Sequence, residues 1–250
     1  MDSITFCIPF YGKEPAHTEI LCSSLDQIIT FYPHNPIFVC KTSDSFMPNM
    51  GSYPNVKVYN TFMDGTHIIG AMELLIKNCN TTRFLIVHDS MFLLKALPSS
   101  ILDRDFFSLW HFNEQSPYFC SHEIIPFIEQ FNIPDKERRV LYSIFRSNPT
   151  KEWDGIFGPA FGGTMKTLHT MWSILNINDT NVKPYIGRKG LMASERILAI
   201  ACIYMGFDLK QSLNGNIYQH PGVFVGSQVP DFTAITYPGS YFYKIWKKRE

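Results

Sequence analysis

The chain lacks most features that would assign a class at sight. Neither charge is in excess: 22 basic and 22 acidic residues cancel, so the footprint of a nucleic-acid binder is missing and no nucleic-acid partner is expected. The six cysteines, at 7, 22, 40, 79, 120 and 202, form no CxxC pair and no short His/Cys cluster. They read as small core residues in a reducing compartment rather than as a metal or disulfide framework. The longest apolar run, ILAIACIYMGF at 197–207, is about half the length of a bilayer span. The opening MDSITFCIPFYG has no basic segment and carries Pro9, so no secretory signal is expected and a cytoplasmic location is. No internal repeat is present, and no GxGxxG follows a strand-like segment, which argues against a dinucleotide oxidoreductase.

What is present is apolar residue: 45% hydrophobic and 15% aromatic over 250 positions, enough for a substantial core. The reading is one domain, 1–250, with halves 1–95 and 96–250. In the first half strands alternate with helices. SITFCIPF is β-rich, and after a polar turn Leu21, Leu25, Ile28, Ile29 and Tyr32 recur at helical spacing. NPIFVCKTSD and NVKVYN give two further strands. Past Gly65, a helix carrying Ile68, Ile69, Met72, Leu75 and Ile76 on one face leads into the strand RFLIV. Four strands with helices between them predict an α/β fold with a mainly parallel sheet. Ligands gather beyond the carboxyl ends of such strands, which puts Phe10–Tyr11, Ser43–Asp44 and His88–Asp89–Ser90 along one rim, with Ile8 a further donor-side candidate.

The second half is less regular. DFFSLWHF predicts a strand, PYFCSHEIIPFIEQF a mixed segment and DKERRVLYSIF an amphipathic helix. SNPTKEWDGIFGPAFGGTM reads as a glycine-rich loop before a helix with Met165, Leu168, Trp172 and Leu175 on its core side. YIGRKGLM reads as a flexible loop, and a further helix is expected from about Ala193–Ser194–Glu195 to Met205.

Three stretches together resemble the nucleotide-sugar glycosyltransferases of the GT-A fold: ITFCIPFYG with the following helix and PIFVCKTSD; Gly65 with GAMELLIKN and RFLIVHDSM; and WDGIFGPAFGG with SERILAIACIYMGF. The resemblance implies a sugar moved from a UDP- or GDP-sugar donor to a hydroxyl of a glycan or lipid-linked glycan. His88–Asp89–Ser90 corresponds to the family's DxD motif, with one carboxylate where the motif has two. The resemblance implies a divalent cation, Mn²⁺ or Mg²⁺, held by Asp89 and by His220 of YQHPGVF; a solvent-facing turn also accounts for His220. It makes Glu195 the candidate base, although a Glu in the first turn of a helix is equally served by the helix dipole.

Asp154 is a second catalytic candidate, and its neighbours Trp153 and Phe157 are candidate acceptor-binding rings, since aromatic faces stack on sugars; a turn Asp explains the same position. On the donor side Phe10 and Tyr11 are candidates to stack on the base, with core packing the competing role for Phe10, and Asp44 to accept from uracil or ribose. His67, His88, Arg188, Lys189 and the backbone N–H groups near Gly65 are donors able to meet phosphate charge without metal; Arg188 and Lys189 also suit a solvated loop. The FYKIWKKRE tail is basic and able to lie on an anionic membrane surface. Two other readings stand beside this one. A catalytically silent nucleotide- or sugar-binding module is suggested by the missing carboxylate. A nucleotidyltransferase is weakened by the single Gly and single Lys in FYGKEPAHTE.

Overall fold

A computed structural model of the protein describes residues 3–42, 45–61, 66–113, 121–146, 154–178, 180–219, 223–224 and 239–245, with the side chains at 121–123, 144–146, 184, 188 and 223–224 left aside. The first half runs β1 (Ile4–Phe10), α1 (Pro15–Phe31), β2 (Ile37–Lys41), β3 (Val56–Asn60), α2 (Ile68–Asn78), β4 (Arg83–Ile86) and β5 (Met91–Leu93). Then follow α3 (Ser99–Leu102), β6 (Phe106–Ser108), β7 (His111–Asn113), α4 (Ser121–Gln130), α5 (Asp135–Arg146), β8 (Asp154–Ile156) and β9 (Phe161–Thr164). The chain continues through α6 (Met165–Leu175), α7 (Gly187–Tyr204), β10 (Val223–Phe224) and β11 (Phe242–Ile245).

The central sheet has six strands in the order β3-β2-β1-β4-β9-β6, in which β9 alone runs antiparallel to its neighbours. Two small sheets accompany it, β10-β11-β5 and β7-β8. The α/β fold expected from the alternation of apolar strands and helices is the fold observed.

The sheet is buried on both faces because successive side chains of a strand point to opposite sides. In β1, Ile4, Phe6, Ile8 and Phe10 face Leu21, Leu25 and Ile28 of α1, while Cys7 joins α2, α6 and α7 on the other side. Strands enclosed on both faces need continuous apolar runs, which is why FCI and FLI carry no charge. Pro15 opens α1, where its missing N–H costs nothing, and the Glu14 N–H donates to His17 Nδ1 at 3.3 Å. Helix α7 is buried from Ile197 to Cys202 and serves as a core helix; among the described residues no helix is long and apolar enough to cross a membrane.

Three local expectations are corrected. The glycine-rich stretch is not all loop, for DGI forms β8 and FGGT forms β9 inside the main sheet. Glycine serves close approach there: a β-carbon on Gly162 would lie 2.6 Å from the Phe107 ring, and one on Gly163 would lie 2.1 Å from the Asp105 carbonyl oxygen. Helix α7 begins at Gly187, so YIGRKGLM is mostly helical rather than a flexible loop. The tail is partly a buried strand, since Phe242 to Lys244 pair with β5 and Ile245 with β10; residues 246–250 lie outside the described set.

Candidate functional site

The strand order reverses between β1 and β4, since β2 and β3 lie to one side of β1 and β4 to the other. At such a switch point the connections leave in opposite directions and open a crevice at the carboxyl ends. Cys7 pairs with Ile86, and the Val87 N–H still donates to the Cys7 carbonyl at 3.1 Å. The adjacent strand ends therefore deliver Phe10–Tyr11 and His88–Asp89–Ser90 to the same rim.

On the β1 side, Ile8 is fully buried and Phe10 is 1% exposed. Of the two roles weighed for Phe10, core packing is the one its burial supports. Tyr11 is partly exposed. Its ring meets His67 edge-on at 5.9 Å and 86°, and the Lys13 ammonium lies 5.2 Å from the ring centroid. His67 sits at the N-cap of α2 with φ +46°, a conformation costing a side-chain-bearing residue about 1–3 kcal/mol and concentrated at ligand sites. The loop after β2 is stitched to this rim: Ser45 Oγ donates to the Phe10 carbonyl at 3.3 Å and the Phe46 N–H to the Gly12 carbonyl at 2.8 Å. Asp44 and Gly65 lie outside the described residues.

On the β4 side, His88, Asp89 and Ser90 form the turn into β5, closed by the Met91 N–H donating to the His88 carbonyl at 3.0 Å. His88 is partly exposed, whereas Asp89 is 3% and Ser90 7% exposed. The carboxylate is thus enclosed within the turn, not at an open lip.

Across this turn stands Glu195. It is the ninth residue of α7, well past the first turn, so the helix-dipole role weighed for it is corrected. Its Oε1 accepts the Gly158 N–H at 2.9 Å. Gly158 has φ +55°, and a β-carbon there would lie 3.3 Å from His88 Cε1. A glycine turn thereby lets the base candidate and the motif histidine pack around one backbone position. Arg196 is 5% exposed, approaches Glu195 Oε2 at 3.5 Å and lies 5.1 Å from the Phe112 ring centroid.

Asp154 is 8% exposed and accepts from Asn113 Nδ2 at 3.0 Å, one strand pair over on β8 and β7. It is held in a strand, not in a turn. Nearby His111 bonds Ser212 through Nδ1 at 2.7 Å. Burial holds its pKa below the usual 6.5, outweighing the opposite pull of the Asp154 charge, while Lys210 adds to the lowering and Asp208 opposes it. Phe157, a candidate sugar-stacking ring, is 8% exposed and lies under the Lys244 ammonium at 5.7 Å. Lys189 is exposed on the first turn of α7, and the side chain of Arg188 is not described. Trp153 and His220 lie outside the described residues.

Lys244 is the residue sequence reasoning missed, together with Lys13 and Arg196. It is 6% exposed on β11, opposite Met91, and its Nζ donates to Ser90 Oγ at 3.5 Å. The signal available was a lysine inside the apolar alternation FYKI. Among the described residues no three His, Cys, Asp or Glu converge as a metal-ligand set. Asp89 and Lys244 flank Ser90, and one carboxylate with one ammonium is not the all-oxygen set hard dications select. An open groove of about 420 Å³ lies elsewhere, along the β6 edge, lined by Arg104, Phe107, Phe207 and Asp208 among others; it holds none of the predicted site residues. In comparison with known proteins, no family model and no curated protein sequence matches the chain.

Proposed function

We propose that the protein is a glycosyltransferase of GT-A type, using a UDP- or GDP-sugar and a glycan or lipid-linked glycan hydroxyl. The observation carrying this reading is the packing of Glu195 against the Gly158 turn beside His88, at the rim where β1 and β4 diverge. An acid in mid-helix has no local reason to face a turn of another segment, whereas a base for an acceptor hydroxyl must be held rigidly beside the donor. In this scheme the acceptor oxygen bonds to the anomeric carbon, its proton passes to the Glu195 carboxylate, and the bond from that carbon to the diphosphate oxygen breaks. Tyr11 and His67 line the donor side, and Asp154 with Asn113 offers acceptors and a donor for sugar hydroxyls.

Binding without transfer is the second reading, favoured by the 3% exposure of Asp89. The test is hydrolysis and transfer over a panel of UDP- and GDP-sugars, with and without Mn²⁺, for wild type, Asp89→Ala and Glu195→Gln. The transferase reading expects turnover of at least one donor by wild type and its loss in both variants. A wild type as inert as the variants across the panel removes the transferase reading and favours the binding module instead.

A further inference from the structure

The groove of about 420 Å³ along the outer edge of β6 takes no part in the chemistry proposed above. Its inner wall is a strand edge whose direction follows from pairing. The Thr164 N–H donates to the Asp105 carbonyl at 3.0 Å and the Leu109 N–H to the Ala160 carbonyl at 2.9 Å, and Phe106 to Ser108 lie opposite Gly163 to Phe161. In an antiparallel pair, residues that exchange such bonds alternate with residues that do not. Asp105, Phe107 and Leu109 therefore turn their backbone groups to β9, and Phe106 and Ser108 turn theirs outward. The Ser108 carbonyl is met by the Leu213 N–H at 2.8 Å. Phe106 is 8% exposed, and among the described residues no strand lies beyond it. Enclosed backbone groups are rarely left unpaired, and those of Phe106 open onto the groove.

The opposite wall is the stretch 206–211, tied back by Arg104 Nη1 donating to the Gln211 carbonyl at 3.2 Å. Phe207, stacked on Phe106 at 5.0 Å and 27°, is half-buried and gives the groove an apolar surface. The Asp208 carboxylate is oriented by the Lys210 N–H at 3.0 Å and Gln211 Nε2 at 3.1 Å, and a carboxylate has about four acceptor sites, so others stay open. Asp105 is exposed, and among the described residues neither acid forms an ion pair. Two carboxylates against one guanidinium disfavour a phosphate. They suit a neutral ligand rich in hydroxyl donors.

We infer that this groove is a second saccharide site, taking an N-acetylhexosamine unit of the glycan acceptor. The inference rests on the glycan reading above and names the sugar class. An acetamido group is a planar trans amide whose N–H and carbonyl point opposite ways, so it spans the groove as a peptide unit would. Its N–H donates to the Phe106 carbonyl, and its own carbonyl turns to the Arg104 guanidinium. The Phe106 N–H is left for a hydroxyl oxygen, Asp105 and Asp208 accept sugar hydroxyls, and Phe207 takes the apolar face of the ring.

The test is calorimetric titration of N,N′-diacetylchitobiose, cellobiose and N-acetylalanine methylamide into wild type and Asp105→Ala, with amide hydrogen exchange read at Phe106 in wild type. Diacetylchitobiose is expected to bind and to slow exchange at Phe106. Cellobiose, which lacks the acetamido group, is expected to bind about tenfold more weakly, and Asp105→Ala to bind diacetylchitobiose about threefold to tenfold more weakly. Equal affinity for the two disaccharides, no effect of Asp105→Ala, or binding that leaves Phe106 exchange unchanged overturns the inference. N-acetylalanine methylamide binding as well as the disaccharide overturns it too, and makes the groove a peptide-amide site. UDP and GDP titrated into the same wild type separate the two claims. Nucleotide binding without diacetylchitobiose binding removes this inference alone, and failure of both removes it together with the transferase reading. Diacetylchitobiose binding at Phe106 without nucleotide binding keeps the saccharide site and removes transfer.

Discussion

At the scale of single residues the site depends on a carboxylate and a glycine. Glu195→Gln keeps the shape and the hydrogen bond from the Gly158 N–H but removes the basic oxygen. On the proposed transferase reading, transfer is expected to fall about 10²–10⁴-fold with nucleotide affinity unchanged, as measured by turnover beside calorimetry; a parallel loss of binding would make the residue structural. Gly158 occupies the left-handed region and touches His88. Gly158→Ala costs about 1–2 kcal/mol for its backbone conformation alone and presses a methyl group on the imidazole. A lowered melting temperature together with lowered turnover is the expected result, and unchanged turnover would separate the glycine from the chemistry.

At the scale of elements, two features of β9 and α6 are open to measurement. Thr164 caps α6, its Oγ1 accepting the Thr167 N–H at 3.2 Å, and Thr164→Ala is expected to cost about 1 kcal/mol, or about 2–4 °C of melting temperature in a chain of this size. Gly163→Ala drives a methyl group toward the Asp105 carbonyl and is expected to cost about 1–3 kcal/mol as overpacking; a neutral result would mean β6 and β9 are looser than described. These same elements mark where sequence legibility ended. Strands β1 to β4 and helices α1 and α2 were legible because their apolar residues recur with the period of the element they form. Strand β9 was not, because paired glycines read as a turn when their purpose is room for Phe107 and for the edge strand. Helix α7 was legible only in its later turns, for Gly187 and Gly190 disguise its start. Glu195 was singled out only through the resemblance. The place of Lys244 at the turn was not legible, since it lies in a pairing of residues 91 and 244 that no local pattern carries.

At the scale of the whole molecule, the polar cluster beside β8 makes stability depend on pH. His111 has its pKa lowered in the fold, chiefly by burial. As pH falls below 6.5 the unfolded chain takes up a proton that the native chain refuses, so native stability drops across the window from 6.5 down to the depressed native value. Urea melts at pH 7.5 and 5.5 are expected to show the loss, and His111→Gln to shrink it; an unchanged difference would assign the loss to other groups. The small sheet β10-β11-β5 bears on the order in which the protein becomes competent. Its last strand comes from residues 242–245, yet it places a side chain against a turn made near residue 90. A ribosome that has delivered every strand of the main sheet has therefore still not delivered β11, so the turn at residues 88–90 gains its Lys244 contact only in the last stage of synthesis.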